Sequence, residues 1–294
     1  ASGLALLKRH ERSPLITSTE GTGRLLRVAL DHGYRRILIG LGDSATNDGG
    51  IGFARSIGIR GLNDLGEDIP PGGGALRELT KFDMTNVHKD LFQSQIIALC
   101  DVTNVLCGEH GASATFGPQK GADGAAIKIL DKGLSRFADV VEKQLNRDIR
   151  TVVGGGAAGG LGAGLVGLCG AELRPGFDVI SKHLKIQEVV AKADIVITGE
   201  GRLDFQTRDG KGVGRIAAIA KENGIQTVIA IVGQNLLDID QAQSIGIDHV
   251  VSLEADDKVY KQVTDTMPDS TMRIESVVAR LLREITSKEI KREQ

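Results

Sequence analysis

Apolar residues recur along the chain in two alternating rhythms. Leu25, Leu26, Ala29 and Leu30 fall at threes and fours and predict an amphipathic helix ending near Gly33. A compact apolar run, Ile37–Ile39, follows at once and reads as a buried strand. After a polar loop, Ile51, Phe53 and Ala54 predict a short helix that stops at Gly58. Ile96–Val102 is the next strand. The longest pattern is Ile127, Leu130, Leu134, Phe137, Val141 and Leu145, one face of a long helix. Its other face carries Lys128, Asp131, Lys132, Arg136 and Glu142.

The last third alternates regularly. A strand at Ile195–Thr198 leads into a polar loop, Gly199 to Gly210, and a helix through Ile216, Ala217 and Ile219 that Asn223-Gly224 stops. Then come a strand at Val228–Val232, a short helix around Leu236–Ala242 and a strand at Val250–Ser252. A polar stretch from Leu253 to Thr271 precedes a final helix on Ile274, Val277, Val278, Leu281 and Ile285. Strands alternating with helices predict an α/β fold with right-handed crossovers and parallel pairing.

Two stretches break the rhythm. Residues 60–95 are turn-rich, with Pro70-Pro-Gly-Gly-Gly74 at their centre. Gly154-Gly-Gly-Ala-Ala-Gly-Gly-Leu-Gly-Ala-Gly-Leu165 is dense in glycine, yet Leu161, Leu165, Val166 and Leu168 give it an apolar stripe. It predicts a glycine-rich loop feeding a helix whose backbone packs closely against a neighbour.

Composition narrows the classes. The 294 residues have room for two domains, and an apolar fraction of 41% supports a sizeable core. Aromatics make up 3% and tryptophan is absent, so that core is Ile, Val, Leu and Ala. The net charge of −2, with both signs interleaved, gives no footprint for nucleic acid or an acidic membrane surface. No apolar run reaches the ~18–20 residues of a membrane span. Cys100, Cys107 and Cys169 form no C-x-x-C pair, so the expectation is reduced thiols in a cytoplasmic protein. The six histidines are scattered and define neither a zinc site nor a nucleophilic triad.

Ligands of open parallel sheets bind at the carboxyl ends of the strands. Two loops qualify. Gly40-Leu-Gly-Asp-Ser-Ala-Thr-Asn-Asp-Gly-Gly50 leaves the strand Ile37–Ile39 and is almost wholly polar and glycine. Thr198-Gly-Glu-Gly-Arg-Leu-Asp-Phe-Gln-Thr207 leaves the strand at Ile197. If all strands share one parallel sheet, both loops lie at the same end of it, and Glu200 and Asp204 face Asp43 and Asp48 across a crevice. Such carboxylates suit Mg²⁺ with phosphate, and Arg202, Arg208, Lys211 and Lys120 supply the opposite charge. Carboxylates, cations and glycine loops together suit phosphoryl transfer. Neither loop is a Walker A motif or a dinucleotide fingerprint, and Gly159-Gly-Leu-Gly162 follows no convincing strand.

Four blocks in order carry a resemblance. They are Gly42-Asp-Ser-Ala-Thr-Asn-Asp-Gly-Gly50, Gly111-Ala-Ser-Ala-Thr-Phe-Gly-Pro-Gln-Lys-Gly-Ala122, Gly155-Gly-Ala-Ala-Gly-Gly-Leu-Gly162 and Ile197-Thr-Gly-Glu-Gly-Arg-Leu-Asp-Phe-Gln-Thr207. With Arg174-Pro-Gly-Phe-Asp178 between the last two, they resemble the signature of the bacterial glycerate kinase family. The resemblance implies ATP- and Mg²⁺-dependent phosphorylation of a hydroxyl of D-glycerate. It also implies a Rossmann- or flavodoxin-like, mostly parallel three-layer domain from residues 1–52 and 171–294, with a smaller α/β domain, 53–170, inserted. On this resemblance, family members usually have glycine where this chain has Asp43, and they carry a further segment ahead of the position of Ala1.

On this reading Asp204 and Asp48 are the general base or metal-anchoring carboxylates, with Glu200 as a third oxygen donor to Mg²⁺. Arg202 and Lys120 hold the glycerate carboxylate or the transferred phosphoryl. Ser44, Thr46, Asn47 and Gly49 contact substrate or phosphate, and Gln206 and Thr207 complete that set or fix the loop. Two alternatives stand beside it: a kinase of another small hydroxy acid, and a non-catalytic anion-binding protein.

Overall fold

The computed structural model describes residues 1–204, 212–253, 274–281 and 283. The chain divides into two compact units, Ala1–Val179 and Ile180–Gln294.

The first unit is built on a parallel sheet of β1 (Arg36–Gly40), β4 (Gln95–Leu99) and β5 (Glu172–Arg174), in the order β1-β4-β5. Ile37 lies opposite Ile96 and Ile39 opposite Ala98, so the register stacks Ile39, Ile96 and Ala98 on the core-facing side. Between β1 and β4 the turn-rich region forms the antiparallel pair β2 (Arg60–Leu62) and β3 (Lys81–Asp83).

Helix α1 (Glu20–Asp31) buries Leu26 and Leu30 and leaves Leu25 exposed. It packs on α2 (Ile51–Ser56) at Gly23, where any side chain would run into the backbone of Phe53. After a one-turn helix, α3 (Ala112–Phe116), comes the long α4, Gly124–Leu145. Asp123 caps its start by accepting the N–H of Ala126 at 2.8 Å, and Asn146 ends it in the left-handed conformation (φ 53°). The side-chain amide of Gln144 accepts from the N–H of Phe82 and donates to its carbonyl, both at 2.7 Å. The rings of Phe82 and Phe137 meet edge to face at 5.8 Å, which fixes β3 against α4. The glycine-dense stretch feeds α5 (Leu161–Cys169), as its apolar stripe predicts, and α6 (Gly176–Leu184) follows β5.

The second unit holds its own parallel sheet, β6-β7-β8, of Ile195–Leu203, Thr227–Asn235 and His249–Ser252. Val196, Val228, Ala230 and Val232 pack with Ala217 and Ala220 of the helix Gly212–Glu222.

Two expectations need correction. The strands do not share one sheet; β1 and β6 belong to separate three-stranded sheets. The segment Gly199–Leu203 is not a loop either, because β6 runs on through it and pairs Arg202 with Gln234 and Leu203 with Asn235. Glycines mislead here. A side chain at Gly199 would strike the carbonyl of Ile231, and one at Gly233 that of Gly201, so these glycines let neighbouring strands approach.

Candidate active site

The loop after β1 divides into an open half and a buried half. Gly42 and Asp43 are exposed and Ser44 is half-buried, whereas every residue from Ala45 to Gly50 is buried. A side chain at Gly42 would meet nothing within 4 Å. In contrast, side chains at Gly73, Gly159 and Gly164 would collide with the carbonyls of Asn47, Thr46 and Gly49. Gly73, together with the glycine-rich stretch that runs into α5, therefore clamps this loop, and Gly49 donates its N–H to the carbonyl of Gly159 at 3.0 Å.

Asp48 is fully buried. Its Oδ2 accepts the N–H and hydroxyl of Thr19 and the N–H of Gly52, and its Oδ1 accepts the N–H of Gly50. Burial pushes the carboxyl above its ordinary range, while the bonds from Thr19, Gly50 and Gly52 pull it back. With four donors on its two oxygens, Asp48 braces the loop and fits poorly as a metal ligand.

Lys120 comes from the turn Pro118–Lys120, between α3 and α4, and only 2% of it is exposed. Its Nζ donates to the Ser44 hydroxyl at 2.8 Å and to the Thr46 carbonyl at 2.7 Å. Desolvation brings the ammonium down to about 8, against an opposing pull from Asp48. Thr46 Oγ1 and Asn47 Oδ1 are buried without a partner among the described residues, and the Asn47 amide nitrogen donates to Ser113 Oγ at 2.9 Å.

Asp43 sits at φ 52°, in the left-handed region where glycine costs least. The glycine expected there in the family has its physical reason in that angle. Beyond the neighbouring strands, Asp101 closes β4 and accepts the N–H of Gly176, at the start of α6, at 2.8 Å. The carboxyl ends of β1, β4 and β5 thus bring together the Gly40–Ser44 segment, Asp101 and Pro175-Gly176.

In the second unit Glu200 and Arg202 lie on β6, two residues apart and so on one face. Arg202 clamps Asp204 Oδ2 through Nε at 2.9 Å and Nη2 at 2.7 Å. Asp204 is 7% exposed, just past the strand end. Gln206, Thr207, Arg208 and Lys211 lie outside the described residues. Among the described residues no group of three or more His, Cys, Asp or Glu is placed to hold a metal ion. No helix among them is long and apolar enough to cross a membrane.

Sequence reasoning singled out Ser44, Lys120 and Asp48 but missed Thr19 and Ser113, the partners that hold Asp48 and Asn47. Ser113 lies in the Gly111–Ala122 block, and Thr19 is at the N-cap position of α1, whose start the apolar pattern does not mark.

Residues 1–285 match the model of the glycerate kinase family. The chain is 46% identical over 253 residues to a glycerate kinase of Halalkalibacterium halodurans and 43% identical over 253 residues to glycerate 2-kinase of Escherichia coli. Each match covers 86% of this chain and 66% of the relative, so the chain spans just under two thirds of the length of these curated relatives. A crystal structure of a Salmonella typhimurium LT2 protein assigned as glycerate kinase 2 superposes with a TM-score of 0.76 at 40% identity. It covers 98% of this chain and 75% of that one.

Proposed function

The chain belongs to the glycerate kinase family, and on that premise we propose that it catalyses ATP-dependent phosphorylation of a hydroxyl of D-glycerate. The observation that carries the reading is the loop after β1, whose open half ends in a hydroxyl bonded to a buried ammonium. A polar, cation-backed loop at the carboxyl end of a parallel strand is suited to an oxyanion.

Roles follow from burial. Gly42 and Ser44 present the ligand-facing surface, while Thr46, Asn47, Asp48 and Gly49 hold its shape from below. Within the second unit, the Arg202 guanidinium is suited to carboxylate or phosphoryl oxygens and the Asp204 carboxylate to the proton of a hydroxyl or to a metal ion. ATP is the phosphoryl donor. Mg²⁺ takes one or two carboxylates together with substrate phosphates, and Glu200 and Asp204 are the hard oxygen donors that fit it, whereas Asp48 is not. Bound there, it would neutralise charge on the phosphates.

The test is ADP formation from ATP with D-glycerate, without it, and with other small hydroxy acids. Glycerate-dependent turnover that falls by about 100-fold in Asp204→Ala supports the reading. Preference for a different hydroxy acid changes the substrate, and anion binding without product leaves a binding module.

A further inference from the structure

Lys120 spends its charge on neutral partners. With 2% of the residue exposed, its ammonium donates to one hydroxyl and one carbonyl, and among the described residues no carboxylate bonds to it directly. A serine hydroxyl has one proton and two lone pairs. When Lys120 donates into Ser44 Oγ, the serine proton must point elsewhere, and among the described residues nothing accepts it. Ser44 is half-buried beside exposed Gly42 and Asp43, and open space lies around Gly42.

We propose that Ser44 Oγ–H is the loop's anion-directed donor and that Lys120 is a positioning residue, strengthening that donor without touching the anion. The ligand class is a carboxylate or a phosphate-type oxyanion, and the proposal rests on the reading of this loop as an anion site. A hydrogen bond that an ammonium donates to a hydroxyl draws electron density from it and makes its O–H a stronger donor. The arrangement places positive charge behind the anion while keeping the lysine out of solvent.

The pair carries a pH signature. The ammonium titrates at about 8 because burial disfavours its charge. Asp48, in the same loop as Ser44, opposes that shift, and Arg12 donates to the carbonyl of the neighbouring Gln119 at 3.5 Å. Above that pH the amine is neutral and its effect on Ser44 fades.

The experiment is calorimetric titration of the full chain with D-glycerate from about pH 6.5 to about pH 9.5, where its carboxylate keeps a constant charge. In the wild type, affinity should fall roughly tenfold across this window, the difference between a charge-assisted and a neutral hydrogen bond. Ser44→Ala should lose about the same factor at neutral pH and give a flat profile. Ser44→Thr should restore the slope, and Lys120→Met should be flat. A pH-dependent loss that persists in Ser44→Ala, or a flat wild-type profile, overturns the proposal. If Lys120→Met fails to fold, the two Ser44 variants decide alone. Should the wild type bind no D-glycerate, the kinase reading falls and sulfate, whose charge is also constant, replaces it in the same series. A Ser44-dependent slope with sulfate upholds the proposal; no sulfate binding overturns it as well.

Discussion

The Asp48 carboxylate accepts both the backbone N–H and the hydroxyl of Thr19 through one oxygen, each at 2.9 Å. Thr19 Oγ1 in turn accepts the N–H of Phe53 at 2.9 Å, and the remaining Asp48 bonds come from the start of α2. This knot ties the first turn of α1 to α2 and fixes the loop between β1 and α2. Asp48→Asn should therefore destabilise the fold by about 2–4 kcal/mol, since an amide nitrogen cannot accept from donors that are buried and have no alternative. Urea unfolding measures it. Loss of turnover with unchanged stability would instead make Asp48 a participant in the chemistry.

Asp43→Gly should stabilise the chain by about 1 kcal/mol, because φ 52° carries a steric cost that glycine avoids. The larger backbone freedom of glycine in the unfolded state offsets part of the gain. A shifted urea midpoint at constant slope is the expected result. A lower midpoint would mean that the Asp43 side chain contributes more than its backbone angle costs.

Much of this architecture is legible in the pattern of apolar residues. The helix at Gly124–Leu145 follows from a stripe at threes and fours, and β1 from three consecutive apolar residues ahead of a glycine loop. The role of the glycines is harder to read. At Gly199 and Gly233 they sit inside strands, and at Gly159 and Gly164 they admit the loop after β1, yet in sequence all resemble turn punctuation. Burial was equally hidden. A run such as Ser-Ala-Thr-Asn-Asp reads as a solvent-facing ligand loop, and only its packing separates half-buried Ser44 from buried Thr46, Asn47 and Asp48. Polarity marks where hydrogen bonds are made, not whether the partner is a ligand or the protein itself.

Thr46→Val tests that distinction directly. Thr46 Oγ1 is buried and has no hydrogen-bond partner among the described residues, while the Thr46 carbonyl holds Lys120. Valine keeps the shape and the carbonyl and removes an unsatisfied hydroxyl, so the ligand-free chain should gain about 1 kcal/mol. Thermal melting without ligand checks this. A loss of stability would reveal that the hydroxyl is satisfied by a buried water.

The buried ammonium makes stability depend on pH in a direction opposite to ligand affinity. Lys120 titrates at about 8 in the folded chain, against an ordinary value of 10.5. Between these values the unfolded chain holds a proton that the folded chain has released, so folding becomes more favourable as pH rises. Below about 8 both states are protonated and the cost of burying the charge is fully present. Lys120→Met cannot titrate, so the wild type should gain on it by about 1–2 kcal/mol between pH 7 and about pH 9.5, at roughly 1.4 kcal/mol per unit of separation. Paired urea titrations of the two proteins at those pH values isolate this group from every other that titrates. A constant difference would show that the lysine stays charged in the fold. If the difference grows while wild-type affinity for D-glycerate falls over the same window, one proton governs both. The chain then becomes more stable as it loses the charge that backs Ser44.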